Sequence, residues 1–108
     1  MYKNSKLDLD INSNFKILNL IININLIEEN SHANINIFNN PGDNSNTEIQ
    51  VFQNHWAPKT YSKLNIKRVI KAFSSSKFEG KILIDKLAPD SDASLKDSAL
   101  VLADSSKN

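Results

Sequence analysis

The stretch "LNLIININL", Leu18 to Leu26, limits the fold more than any other part of the chain. Leu18, Leu20, Ile22, Ile24 and Leu26 fall on one side of an extended backbone, and Asn19, Ile21, Asn23 and Asn25 fall on the other. Alternation with a period of two marks a strand with one covered face. Asn is disfavoured in strands, but strand propensity spans only about 1 kcal/mol and yields to context. The chain holds 16 Asn and 13 Ile among 108 residues. Asn, Ile and Lys have A/T-rich codons, and Asn here fills solvent-facing slots. Its regular alternation with Ile and Leu argues against a low-complexity, aggregation-prone tract.

The same period recurs. In "KLDLDIN", Leu7, Leu9 and Ile11 oppose Asp8 and Asp10. "ANINIFN" and "TEIQVFQ" read as two more strands, with Ile35/Ile37 and Ile49/Val51 inward. "NPGDNSN" lies between them, and Pro41-Gly42 suits the centre of a type II turn. The pair is therefore expected to form a hairpin, and no longer repeat is evident.

The pattern changes after "HWAPKTY". Ile66, Val69, Ile70 and Phe73 fit the i, i+3, i+4, i+7 template of a helix starting near Ser62, with Thr60 or Ser62 as cap. Ile82 to Ile84 suits a fifth strand. A last helix is expected from about Ser94 to Ala103, with a strand at "ALVLA" as the alternative. The expected fold is α+β: a mainly antiparallel sheet or small β-sandwich of about five strands, with one or two helices in the C-terminal half.

A chain of this length makes one domain, residues 1–108, and its 40% hydrophobic content supports a modest core. Absence of Cys removes disulfides, thiol catalysis and Cys-based metal sites. It leans toward a cytoplasmic setting and is compatible with a periplasm or a virion. No apolar run reaches the roughly 18 residues of a membrane span, and "MYKNSKLDLD" lacks a signal-peptide core.

Catalytic constellations are missing. Gly42 and Gly80 are too far apart for a phosphate-cradling loop. His32 and His55 have no partner at metal-ligand spacing. Ser74 and Lys77 have the spacing of a Ser–Lys pair but none of its companion motifs. "DSDAS" opens like a calcium loop, but Leu95 and Val101 stand where Gly and Glu are required. No cofactor and no enzymatic activity are expected.

Charge layout carries the remaining signal. Residues 1–54 have a net charge of −3, residues 55–86 of +6 and residues 87–108 of −2. The three parts read as strand-rich, basic helix and strand, and acidic helix or tail. On a helix, Lys63, Lys67 and Lys71 form one basic stripe, with Trp56 and Tyr61 just before it. Exposed aromatics beside cations are enriched at binding hot spots. Trp56, Tyr61, Lys63, Lys67 and Lys71 are thus the expected partner contacts. The leading functional expectation is a non-catalytic protein–protein interaction module, a small subunit of a larger bacterial or phage assembly that pairs with a protein or with itself. The alternative is a nucleic-acid-binding protein that uses the basic segment 59–81.

Overall fold

A computed structural model describes residues 5–102. Among them are seven strands and no helix: β1 (Lys6–Ser13), β2 (Ile17–Leu26), β3 (His32–Asn39), β4 (Asn46–His55), β5 (Tyr61–Ile70), β6 (Ser75–Ile84) and β7 (Asp92–Val101). They alternate between two parallel sheets, ordered β1-β3-β5-β7 and β2-β4-β6. A parallel pair needs a connection of about a dozen residues or more. Here the connection is a strand of the opposite sheet, so the chain winds as a flattened β-solenoid.

Register is the same across every ladder of the four-stranded sheet. Lys6, His32, Tyr61 and Asp92 are direct partners, as are Leu9, Ile35, Leu64 and Leu95. Equivalent residues of successive coils lie 26, 29 and 31 positions apart, as in the pairs Asp10–Asn36, Asn36–Asn65 and Thr60–Ser91. The chain is therefore a repeat protein, and the expectation of no long repeat is corrected.

Inward side chains stack in columns. Leu9, Ile35, Leu64 and Leu95 form one, and Leu20, Ile49 and Phe78 form another from the facing sheet. Ile35, Leu64, Ile66, Ile37 and Ile49 are essentially fully buried in the middle coils. Each such side chain contributes about 1.5–3 kcal/mol of hydrophobic stabilisation. Gly80 extends the Ile22–Val51 column, and Leu95 fills its place from across the core: a Cβ there would overlap Leu95 Cδ1 and lie 3.0 Å from Phe78 Cζ.

The outer faces explain the Asn content. Zero-offset parallel pairing sets amide side chains side by side on neighbouring strands. Asn36 Nδ2 donates to Asp10 Oδ1 at 3.1 Å, Asn65 Nδ2 to Asn36 Oδ1 at 3.3 Å, and Asn54 Nδ2 to Asn25 Oδ1 at 3.2 Å.

The α+β, antiparallel expectation is overturned throughout. "NPGDNSN" turns the chain from one sheet to the other, so β3 and β4 do not form a hairpin. The basic helix is the strand β5, and the acidic C-terminal helix is the strand β7. The error at β5 has a physical origin. A spacing of four residues keeps a helical face and also, being even, a strand face. Leu64 and Ile66 point inward while Lys63 and Lys67 point outward, and the β-branched residues favour the strand. Phe73, assigned to the helix face, sits in the following turn with φ of 59°.

One corner repeats closely. "EENS", "APKT" and "APDS" bring the chain from β2, β4 and β6 into the next strand. Each places a left-handed residue at the same point: Asn30 (φ 63°), Lys59 (φ 56°) and Asp90 (φ 60°). The backbone N–H of Asn30 donates to Pro58 O and that of Lys59 to Pro89 O, so the corners form a ladder of their own. Asn and Asp tolerate this conformation, whereas a β-branched residue does not. Lys59→Val is therefore expected to lower stability by about 1–2 kcal/mol, with Lys59→Asn neutral or slightly stabilising, read as shifts in the denaturant midpoint.

Candidate functional site

The expected contact residues do not form a single cluster. Tyr61, Lys63 and Lys67 share the outer face of β5. Tyr61 is 37% exposed and stacks on His32 of β3, with ring centroids 4.8 Å apart. Lys6, Asn34 and Asp92 complete a shallow groove of about 350 Å³ beside this pair. Trp56 is 42% exposed and lies around the corner, where its Nε1 donates to Asn25 Oδ1 of β2 at 3.1 Å. Lys71 lies beyond the end of β5, in the turn leading to β6. Lys63 and Lys67 thus sit on a flat sheet and are not part of a helical stripe.

The catalytic candidates are not assembled either. Ser74 lies in a turn and donates its hydroxyl to Gly42 O, while Lys77 is exposed on β6. Among the described residues, no three His, Cys, Asp or Glu side chains gather into a possible metal site.

Composition and spacing left two polar clusters unmarked. The first lies inside the repeated corner. His55 faces inward and is fully buried; its Nδ1 is 2.8 Å from Thr60 Oγ1 and its Nε2 is 2.7 Å from Ser62 Oγ. Ser62 donates to Gln53 Oε1, and the Thr60 backbone N–H donates to Ser91 Oγ. With Ser62 donating to Gln53, Nε2–H of a neutral ring donates to Ser62 Oγ, and the single Thr60 hydroxyl proton is shared between Nδ1 and Ala57 O, 3.0 Å away. The Ser–His spacing is that of an activated nucleophile, but both groups are buried away from any substrate. The pair holds β4 to β5. The signal for it was the corner rhyme itself: Ser31, Thr60 and Ser91 are the hydroxyl position of the three corners.

The second cluster faces the interior at the other end of β5. Arg68 donates from Nε and Nη2 to the two oxygens of Asp97, at 3.0 and 2.6 Å, and from Nη1 to Ser76 Oγ at 3.1 Å. Its guanidinium also lies over the Phe78 ring, 5.8 Å from the centroid. Asp97 follows Ile37 and Ile66 in an inward column, so an ion pair takes over where the apolar column stops. Both Asp97 oxygens and Ser76 Oγ accept from the one guanidinium, which ties β5 to β7 within its sheet and to β6 of the facing sheet.

With this geometry in place, comparison with known proteins decides the family. Residues 2–108 match the family model described as SUF system FeS cluster assembly, SufBD core domain. The chain belongs to the SufBD core domain family. No curated protein and no solved structure matched it. Family membership means participation in a protein complex, in keeping with the partner expectation at its coarsest, and no helix among the described residues is long and apolar enough to cross a membrane. It overturns both functional expectations, the bacterial or phage assembly subunit and the nucleic-acid-binding protein. The latter had rested on a basic helix that does not exist.

Two measurements test the polar clusters. Burial pushes the His55 imidazole below its ordinary value, against smaller upward pulls from the Thr60 backbone and the charge of Asp92. The folded protein then stays neutral where the unfolded chain takes up a proton, so stability is lost as pH falls below about 6.5 toward the lowered folded value. His55→Gln should flatten that slope between pH 7.5 and 5.5 in denaturation curves. Asp97→Ala should cost about 1.5–3 kcal/mol, because Arg68, with its side chain only 12% exposed, loses a charged partner.

Proposed function

We propose that this chain is a β-solenoid structural unit of an iron–sulfur cluster assembly complex, acting through its surfaces and not by catalysis. The family match across residues 2–108 carries the reading. The donor set supports it. Iron–sulfur clusters are held chiefly by Cys thiolates, and these 108 residues contain none. His55 is committed to the corner hydroxyls, and His32 is stacked on Tyr61. In this reading the cluster is cargo held by residues outside these 108, and this stretch shapes and positions the complex around it.

Within this reading, Trp56, Tyr61, Lys63, Lys67 and Lys71 are the contact candidates. Tyr61, Lys63 and Lys67 act together because β5 presents them on one face. A rigid sheet suits the purpose, since its side chains lose little freedom on docking.

A tagged chain recovered from its native cell is expected to retain iron–sulfur assembly proteins after nuclease treatment. The combined change Tyr61→Ala, Lys63→Glu and Lys67→Glu should reduce that retention at least tenfold, or about 1.4 kcal/mol. The purified chain, given iron and sulfide, should bind no cluster by visible absorption. Retention of no assembly protein, or a cluster bound by the isolated chain, would contradict the reading.

A further inference from the structure

The outer face of the four-stranded sheet is divided by charge. Lys63 and Lys67 stand on the outer face of β5. Lys96 stands on that of β7, opposite Asn65 and so at the level midway between them. With a rise of about 3.3 Å per residue, Lys63 and Lys67 are roughly 13 Å apart along the strand, and Lys96 is one strand, about 4.8 Å, to the side. All three are exposed. Their direct cross-strand neighbours are neutral: Asn34 and Ser94 for Lys63, Phe38 and Ser98 for Lys67, and Asn65 for Lys96. None of the three enters the two ion pairs found among the described residues, Arg68–Asp97 and Lys81–Glu79. The carboxylate in the row of Lys96 is Asp10, at the far side of the sheet, where it accepts from Asn36. Asp92 lies at one end of the triangle, beside Tyr61. Asn36, Asn65, Lys67, Lys96 and Ser98 line a hollow of about 280 Å³ within this area.

We propose that the Lys63–Lys67–Lys96 triangle is the docking face for an acidic segment of a partner protein. That the partner belongs to the iron–sulfur assembly complex rests on the functional reading above; that it is acidic rests on this face alone. Three neighbouring ammonium groups without counter-charges repel one another, and a ligand of opposite sign relieves that repulsion as it binds. The spacing sets the form of the ligand. No single carboxylate or phosphate bridges about 13 Å, so the ligand carries several negative charges along an extended stretch. In an extended chain, residues i, i+2 and i+4 share a side and cover that same distance. Acidic residues at i and i+4 then meet Lys63 and Lys67, and one at i+2 falls at the level of Lys96. The donors suit carboxylates better than phosphates. The cations are Lys point charges with no Arg fork among them. The backbone N–H groups of β5 are committed to the ladders with β3 and β7, which leaves no cradle of N–H groups for a phosphate. Asp92 at one end, and Asp8 and Asp10 across β3, bound the patch and limit where an acidic segment can lie.

The test uses the purified chain and two labelled probes, a peptide of alternating Glu and Ser and an oligothymidylate carrying the same number of negative charges. Fluorescence anisotropy at low ionic strength should show saturable binding of the peptide, tighter than that of the oligothymidylate and weakening as salt is added. Lys67→Glu and Lys96→Glu should each weaken peptide binding by about fivefold while preserving the strand spectrum in circular dichroism. Lys67→Arg and Lys96→Arg, which keep the charge, should retain it. Lys77→Glu, on β6 of the other sheet, should leave it unchanged. A peptide that does not bind the folded chain overturns the proposal. So does binding indifferent to both reversals, or tighter binding of the oligothymidylate. If the peptide fails while assembly proteins still co-purify with the tagged chain, the acidic partner falls and the functional reading stands. If the peptide binds at this triangle and no assembly protein co-purifies, the docking face stands and the functional reading falls.

Discussion

The structure depends on one constraint: each strand lies in parallel, without offset, on the strand one coil earlier. That register turns an alternating sequence into continuous inward columns of Leu and Ile and continuous outward rows of Asn, Asp and Lys. A shift of a single residue would exchange the two faces. The corners maintain the register by repeating the same left-handed residue and hydroxyl, and the buried His55 network fastens the strands that leave and enter one of them. At the other end of β5, Arg68 pairs with Asp97 of its own sheet and bonds Ser76 of the facing one where the apolar column ends.

The local content of the fold was largely legible, and its assembly was not. Alternation located β1 to β4 because each keeps a clean period of two. β5 was missed because its apolar and basic residues recur at four-residue steps, which helix and strand share. β7 was read first as a helix, with a strand only at "ALVLA" as the alternative, because Asp97 interrupts its inward column at the position that continues Ile66. Parallel pairing was hidden for a different reason. Partners lie 26 to 31 residues apart, beyond the reach of local patterns. The clue that was present, "APKTY" echoed by "APDSD", is a corner signal of four or five residues, and only its spacing from the strands gives it meaning.

The candidate residues followed the same division. Exposure of Trp56 and Tyr61 and the shared face of Lys63 and Lys67 are consistent with side chains available for contact. The buried polar groups were invisible to motif reasoning because their partners come from different strands and corners.

The coil spacing also has a consequence for synthesis. Among the described residues no strand has a backbone partner closer than one full coil, so the β1–β3 ladder cannot close until residues 32–39 have been made. Closing a loop of that length costs entropy before any contact returns it. Once β1 and β3 have met, each further coil adds to a preformed template. Within this stretch, β1 and β2 therefore wait without the partner strands of the next coil until residues 32–55 have been made.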